Sequence, residues 1–190
     1  MERPVKLAGR RQRPCVFFDR DGIVNRHPIG ERYILCADDF VMIPSFFDAL
    51  ALARNRGFEA VVVTNQRGVG LGALSQTELN AIHQVFYREL QERGLTVTDL
   101  LACVATDDED PWRKPNPGML LEAAKKHGLD LHRSWMVGDH ETDILAGQRA
   151  GCRTILVSPN SESTAATYHI VSMNELPSLL VSCLDAVAST

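Results

Sequence analysis

The sequence predicts an α/β protein built on a Rossmann-like parallel sheet with helices on both faces. Short apolar runs rich in branched and aromatic side chains, starting with residues 15–18, are typical of buried strands. Helical patterns lie between these runs, and strands that alternate with helices favour a parallel sheet covered on both faces. Polar residues able to carry chemistry follow directly after several of the runs.

The predicted strands are all short, as expected for strands buried on both faces. Residues 168–171 add a strand at the edge of the sheet. The others are predicted at 15–18, 60–63, 100–104, 135–137 and 154–157.

The predicted helices begin at clear start signals. Proline occupies the first turn of the first helix, which runs from Pro44 to about Arg56 and stops at Gly57. The second helix opens with a capping box formed by Ser75 and Glu78. The remaining helices are predicted from Pro117 to Gly128, from about Glu141 to Ala150, and from about Asn174 onward.

Size and charge narrow the function classes. A chain of 190 residues can build one domain with its own core, which we place at residues 15–190 after a flexible basic extension at 1–14. A formal net charge of −4 gives no global electrostatic reason to bind nucleic acid. No apolar segment is long enough to cross a bilayer.

The cysteines indicate a reducing compartment. There are five, scattered without any C-x-x-C pair, and several lie inside apolar runs. The N-terminus also lacks the features of a signal peptide. We therefore expect reduced thiols and a cytoplasmic protein.

Two aspartates one residue apart are the most informative feature of the chain. Asp19 and Asp21 follow the first predicted strand, and Gly22 permits a sharp turn after them. Neighbouring carboxylates repel unless a proton or a cation offsets the repulsion. The pair therefore indicates a hard divalent metal with one carboxylate free for covalent chemistry, although a solvated turn would use the same residues.

Other polar residues follow the remaining strands. Thr64 ends the second strand, Lys114 lies past the third, and Asp139 and Asp143 follow the fourth. Each has an ordinary explanation: a β-branched strand end, a surface amine, a helix cap. Because ligands of parallel sheets bind beyond the carboxyl ends of the strands, the whole set predicts a metal–phosphate site there.

The motifs that carry these residues resemble those of a known family. Asp-Arg-Asp-Gly at 19–22, the strand ending in Thr64, Lys114-Pro115, and Gly138-Asp139 followed by Asp143 resemble, in order and spacing, the four motifs of the haloacid-dehalogenase-like phosphohydrolases. The segments 64–72 and 113–119 are similar to the branch that holds the histidinol phosphatases and the heptose-bisphosphate phosphatases.

That resemblance implies a catalytic pair and a metal. Asp19 would attack phosphorus and form an aspartyl-phosphate, and Asp21 would act as the general acid and base. Asp19, the backbone carbonyl of Asp21, and Asp139 would hold Mg²⁺.

The same resemblance implies a set of phosphate ligands. Thr64 and Lys114 would hold the transferred phosphoryl oxygens, and Asn65 adds a donor beside Thr64. Arg113 would be a second clamp on phosphate or sugar. Asp143 would orient the lysine or the metal shell.

The chain departs from that branch in one loop. Its relatives usually carry a zinc loop with one Cys-x-His and one Cys-x-Cys pair before the Arg-Lys-Pro motif. Here only Cys103 remains, Ala105 stands in the position of the histidine, and Pro111 and Trp112 replace the second pair. Tetrahedral zinc needs four suitable ligands, so we predict no structural zinc.

Two segments beside the predicted site allow alternative interpretations. Residues 22–40 are too few for a cap domain and would form a mobile flap, in which His27 and Tyr33 contact substrate or simply pack. The glycine-rich segment 68–72 would either present backbone N–H groups to an anion or act as a flexible connector.

The leading hypothesis is a Mg²⁺-dependent phosphatase for a small phosphorylated metabolite, most similar to the enzymes of sugar (heptose) bisphosphates. Histidinol phosphate is the nearest alternative substrate. A polynucleotide 3′-phosphatase is more distant, because the acidic loop 107–110 would repel a nucleic-acid backbone. A catalytically inactive phosphosugar-binding protein would be favoured if either Asp19 or Asp21 were replaced, and both are present. We expect a monomer without a membrane partner.

Overall fold

The protein is described by a computed structural model that covers residues 12–28, 33–160 and 164–188. Six parallel strands form one sheet in the order β3-β2-β1-β4-β5-β6. This confirms the predicted fold class. The strands are β1 (Cys15–Phe18), β2 (Glu59–Asn65), β3 (Asp99–Cys103), β4 (Trp135–Gly138), β5 (Arg153–Val157) and β6 (Tyr168–Ile170).

Six helices accompany the sheet in the described part of the chain. They are α1 (Pro44–Asn55), α2 (Arg67–Gly70), α3 (Gln76–Glu92), α4 (Gly118–His127), α5 (Glu141–Ala150) and α6 (Leu176–Ala188). Both halves of the predicted capping box are present at the start of α3. Gly128 and Gly151 adopt the left-handed conformation that ends α4 and α5, and the end at Gly128 agrees with the sequence prediction.

The alternation of side chains along the strands builds two cores. Val16 and Phe18 of β1 point to one face, where they join the apolar sides of α1, α3 and α6. Cys15 and Phe17 point to the other face, where α4 and α5 cover them. Because both faces are covered, the central strands are apolar throughout, which explains why the sequence shows runs rather than alternation.

Several predicted boundaries differ from the structure by one or two residues. The third strand was expected to reach Val104 but ends at Cys103. The last helix was expected from about Asn174, but a 3₁₀ turn over Met173–Glu175 precedes α6. The glycine-rich segment 68–72, for which the sequence left an anion-binding loop and a flexible connector open, lies partly in the short helix α2. A side chain at Gly70 would collide with the carbonyl of Val104, so close packing requires that glycine.

The last two residues of the predicted N-terminal extension, residues 13 and 14, make backbone hydrogen bonds to the fold. Arg13 donates its N–H to the carbonyl of Gly128 at 3.1 Å, and its own carbonyl accepts from Asp130 at 2.9 Å. The carbonyl of Pro14 accepts from Glu59 at 2.8 Å. Arg13 and Pro14 therefore belong to the body of the fold, while residues 1–11 lie outside the described residues.

The segment between β1 and α1 holds only short turns among its described residues. Asn25 bridges to Met42, and a 3₁₀ turn covers Ala37–Asp39. Residues 29–32 lie outside the described part. None of the described helices combines the length and the apolar character needed to span a bilayer.

Candidate active site

The carboxyl ends of the central strands surround one open cavity of about 240 Å³. The backbone N–H of Asp19 donates to the carbonyl of Val137 at 2.9 Å, which ties the end of β1 to the end of β4. Seven of the eight residues proposed from the sequence line this cavity; Arg113 does not. The lining residues are Asp19, Asp21, His27, Thr64, Asn65, Lys114, Asp139, His140, Thr142 and Asp143.

Lys114 lies at the centre of the buried charges. Its Nζ lies 2.5 Å from Oδ1 of Asp19 and 2.6 Å from Oδ1 of Asp143, and it donates to the carbonyl of Val63 at 3.0 Å. Its side chain is only 2% exposed. Burial alone lowers the pKa of Lys114, but the two carboxylates outweigh it and raise the pKa above its usual value. The ammonium therefore stays charged at this depth.

Asn65 fixes the backbone of that lysine. Its Oδ1 accepts the N–H of Lys114 and its Nδ2 donates to the carbonyl of Lys114, both at 3.0 Å. The side chain thus acts as a two-point clamp between β2 and the segment that carries Lys114. Asn65 was predicted as a phosphate ligand, and the structure adds this positioning contact to it.

Asp143 is held in place by the start of α5. Its Oδ2 accepts the backbone N–H of His140 at 3.1 Å, as one half of a capping box at that helix. Its Oδ1 is the atom that meets Lys114. A capping interaction therefore also positions a buried charge, and the supporting role of Asp143 in catalysis stays a prediction.

Asp19 is nearly buried and shares its surroundings with other acids. Burial raises the pKa of Asp19 to about 8; the ammonium of Lys114 opposes the shift, and Asp143 and Asp139 add to it. An additional positive charge at this position would favour the ionised, nucleophilic form.

Asp21 has different surroundings from Asp19. Its carboxylate accepts hydrogen bonds from the side chains of Arg20, Asn25 and Gln66 at distances from 2.9 to 3.2 Å. Burial acts to raise the pKa of Asp21, but the charge of Arg20 and these hydrogen bonds leave it below the usual value. The two neighbouring aspartates thus have pKa values shifted in opposite directions.

Arg113 lies beside the cavity rather than in it. Its Nε donates to Oδ1 of Asp108 at 2.8 Å, and Nη1 of Arg67 lies 3.9 Å from the same oxygen. The acidic loop that replaces the expected zinc loop therefore holds this guanidinium. In that loop, Sγ of Cys103 lies 3.8 Å from a carboxylate oxygen of Asp110. The predicted absence of zinc remains a prediction.

Comparison with known proteins places the chain in a family. A family model described as HAD-hydrolase-like matches residues 111–183. The D-glycero-beta-D-manno-heptose-1,7-bisphosphate 7-phosphatase of Mesorhizobium japonicum is 38% identical over 146 residues, or 73% of this chain and 66% of that protein. The D-glycero-alpha-D-manno-heptose-1,7-bisphosphate 7-phosphatase of Photorhabdus laumondii is 31% identical over 169 residues, or 84% of this chain and 91% of that protein.

This chain belongs to the haloacid-dehalogenase-like phosphohydrolases. It falls in the branch that contains the heptose-bisphosphate phosphatases, and it is a phosphoric monoester hydrolase. The resemblance stated from the motifs is confirmed.

Solved structures agree with the assignment of this phosphatase. A haloacid-dehalogenase-like protein from Mesorhizobium loti matches with a TM-score of 0.81 at 31% identity, over 95% of this chain and 91% of that one. The D,D-heptose 1,7-bisphosphate phosphatase of B. bronchiseptica, complexed with magnesium and phosphate, matches with a TM-score of 0.79 at 28% identity, over 89% of this chain and 98% of that one.

The acidic residues of the phosphatase form a set that suits a divalent cation. Asp19, Asp139 and Asp143 each offer a carboxylate oxygen, and these oxygens lie within 4.8 Å of one another. Among the described residues their cationic partners are Lys114, shared by two of them, and His27, whose Nε2 lies 2.6 Å from Oδ2 of Asp139. Three acids facing one permanent cation leave an excess of negative charge, and oxygen donors suit Mg²⁺.

Sequence reasoning missed the residues that support the predicted ones. Gln66 donates to Oγ1 of Thr64 at 2.7 Å and to Asp21 at 3.0 Å, so it links two predicted site residues. Gln66 could have been predicted as a site residue, because it follows Thr64 and Asn65 at the end of a strand. Arg20 and Asn25 gave no such signal, because only the folded turn brings them to Asp21. The contact between His27 and Asp139 joins residues 112 positions apart, beyond the reach of any local pattern.

Proposed function

We propose that this phosphatase hydrolyses a small phosphorylated metabolite, most specifically a heptose bisphosphate, through an aspartyl-phosphate and with Mg²⁺. One observation carries the mechanism: Asp19, Asp21, Lys114 and Asp139 line one cavity at the carboxyl edge of the sheet. The substrate class is supported by the relatives, several of which are named heptose-1,7-bisphosphate 7-phosphatases. That this chain binds both phosphate groups of such a bisphosphate is part of the proposal.

In the first step, a carboxylate oxygen of Asp19 attacks phosphorus and forms the aspartyl-phosphate. Oδ1 of Asp19 already meets Lys114, which leaves Oδ2 as the attacking atom. The bond between phosphorus and the sugar oxygen breaks, and a proton passes from Asp21 to that oxygen. The approach of the anionic phosphate favours the protonated form of Asp21 that this transfer needs.

In the second step, water attacks phosphorus of the aspartyl-phosphate and gives its proton back to Asp21. Inorganic phosphate leaves and Asp19 is regenerated. Lys114 and Thr64 would stabilise the phosphoryl oxygens in both steps, with Asn65 holding the lysine backbone. Asp19, Asp139 and the carbonyl of Asp21 would hold Mg²⁺, which neutralises phosphate charge when bound, with Asp143 in support.

Arg113 remains a proposed second clamp. Its side chain is 13% exposed and its present partner, Asp108, is 72% exposed, so a second anionic group of a substrate could replace that carboxylate. The predicted monomeric state and cytoplasmic location remain part of the proposal.

A substrate panel tests the proposal. The purified protein with Mg²⁺ would be assayed on both anomers of heptose 1,7-bisphosphate, histidinol phosphate, a 3′-phosphorylated oligonucleotide and an aryl phosphate. We expect the highest kcat/KM on a heptose bisphosphate. A preference for histidinol phosphate or the oligonucleotide would overturn the substrate class while leaving the chemistry intact.

Substitution of the nucleophile tests the chemistry separately. Asp19→Asn should remove turnover of every phosphate ester in the panel, and EDTA should do the same reversibly. Turnover that persists in Asp19→Asn would contradict the aspartyl-phosphate mechanism.

A further inference from the structure

Arg20 is a buried arginine whose function the mechanism leaves open. It stands between Asp19 and Asp21 in the chain, and only 1% of its surface is exposed. It does not line the cavity, so it is not placed to touch a substrate. A guanidinium so deeply buried needs a partner, because removing its charge from water is costly.

The partner of Arg20 is Asp21. Nη2 of Arg20 donates to both carboxylate oxygens of Asp21 at 2.9 Å, and Nε donates to Oδ1 at 3.2 Å. Among the described residues, Asp21 is its only ion-pair partner. A planar guanidinium that engages both oxygens fixes the rotation of the carboxylate as well as its position, which a lysine could not do.

The rest of the surroundings strengthens this hold. Nδ2 of Asn25 donates to Oδ1 of Asp21 at 3.0 Å, and Nε2 of Gln66 donates to Oδ2 at 3.0 Å. Both oxygens of Asp21 are therefore held from more than one side, although 26% of its side chain stays exposed toward solvent. That exposed part is where a leaving group would meet it.

Phe40 and His83 are further neighbours of Arg20. Its guanidinium carbon lies 5.9 Å from the centre of the Phe40 ring. Its Nη1 and Nε2 of His83 on α3 are both buried without a hydrogen-bond partner among the described residues. Burial, with a contribution from the charge of Arg20, lowers the pKa of His83 to about 4, so His83 is a neutral neighbour able to accept rather than a competing cation.

We propose that Arg20 is a positioning residue for proton transfer: it holds the Asp21 side chain at the place from which, in its protonated form, Asp21 gives its proton to the departing oxygen of the substrate and returns to the carboxylate. The inference rests on the general-acid role proposed above for Asp21. It adds that the orientation of the Asp21 carboxyl group, and hence the rate at which the leaving group departs, depends on the two-point contact with the Arg20 guanidinium.

A series of leaving groups distinguishes positioning from simple structural support. For Arg20→Lys and Arg20→Gln, kcat/KM would be measured with Mg²⁺ on alkyl, phenyl and nitrophenyl phosphates. Nitrophenolate departs without protonation, so kcat/KM should fall less than about 3-fold, whereas alkyl phosphates should lose about 100-fold, within the range of general acid catalysis. Near-normal activity on the nitrophenyl ester would also prove that the variant is folded. Equal losses across the series, including those of a variant that does not fold, would overturn the proposal.

A double-mutant cycle gives a second, independent readout. If Arg20 acts through Asp21, Arg20→Lys should cause no additional loss on phenyl phosphate in an Asp21→Asn background, whereas independent effects would multiply. Arg56→Gln, which removes an arginine paired with the exposed Asp185, is the control and should leave the whole series unchanged.

The same measurements distinguish the positioning role of Arg20 from the general-acid role of Asp21. If Asp21→Asn shows no dependence on the leaving group, the general-acid role fails and the inference falls with it. If Asp21→Asn shows that dependence and Arg20→Lys does not, only the positioning role is overturned.

Discussion

At the scale of single residues, Lys114 decides whether the site can exist in the folded state. It is the only permanent cation that pairs with the buried carboxylates of Asp19 and Asp143 in the described structure. Two carboxylates at this depth would be strongly destabilising without it. The residue that would bind the phosphoryl oxygens thus also compensates the charge of the substrate-free site.

Replacing Lys114 should therefore cost stability as well as activity. Lys114→Met leaves Asp19 and Asp143 without a counter-ion, and the free energy of unfolding in urea should fall by about 3–5 kcal/mol. The matched control is Lys126→Met, whose lysine pairs with Asp99 but is 57% exposed, and which should leave the free energy of unfolding nearly unchanged. Similar losses in the two variants would contradict the role given to Lys114.

At the scale of elements, the turn after β1 has to fit tightly against the segment after β4. Gly22 has φ of +88°, and a side chain there would collide with the carboxylate of Asp139 and with Nε2 of His27. The glycine is needed both for the left-handed backbone and for the close approach of the two carboxylate-bearing turns.

A pair of alanine substitutions separates these two needs. Gly22→Ala and Gly94→Ala both put a side chain on a left-handed residue, at φ of +88° and +66°, but Gly94 has nothing within 4 Å of the new Cβ. Each should lose about 1 kcal/mol of stability. Only Gly22→Ala should also lower kcat/KM, by about 100-fold, because it displaces Asp139. Normal activity in Gly22→Ala would show that Asp139 tolerates the shift.

The contrast between elements and their contacts explains what the sequence could predict. The capping box at Ser75 and the helix stop at Gly128 are local signals, and both were placed correctly. Asp19 and Thr64 were also within reach, because parallel strands bring their carboxyl ends to one edge. Asn25 was not, because its contact with Asp21 depends on how the whole flap folds. Helix α2 was missed because its four residues, two of them glycine, carry no periodic pattern.

At the scale of the whole molecule, the two edges of the sheet carry separate tasks. The carboxyl edge gathers the acids of the cavity, whereas the opposite edge carries Glu59, the first residue of β2. Glu59 pairs with Arg54 at 2.6 Å, forms an ion pair with Arg13, and accepts a hydrogen bond from Thr98. These contacts join the N-terminal segment, α1 and the start of β3 at the edge remote from the chemistry.

Stability and activity should therefore be separable at Glu59. Glu59→Gln removes the ion pairs with Arg54 and Arg13, both of which are substantially exposed, so at pH 7 the free energy of unfolding should fall by about 1 kcal/mol while kcat/KM on an aryl phosphate stays unchanged.

Burial acts to raise the pKa of Glu59, but the hydrogen bonds of Thr98 and Arg54 outweigh it and leave the pKa lowered. A lowered pKa in the folded state stabilises the fold above the ordinary pKa of 4.5 and loses that effect as the pH falls through the folded value. The difference in the free energy of unfolding between wild type and Glu59→Gln should accordingly shrink below about pH 4.5.

The control is Glu89→Gln, which breaks the i, i+4 pair with Arg93 and should lower the free energy of unfolding by only about 0.3 kcal/mol. A loss of activity in Glu59→Gln that matches its loss of stability would mean that the two edges of the sheet are not independent.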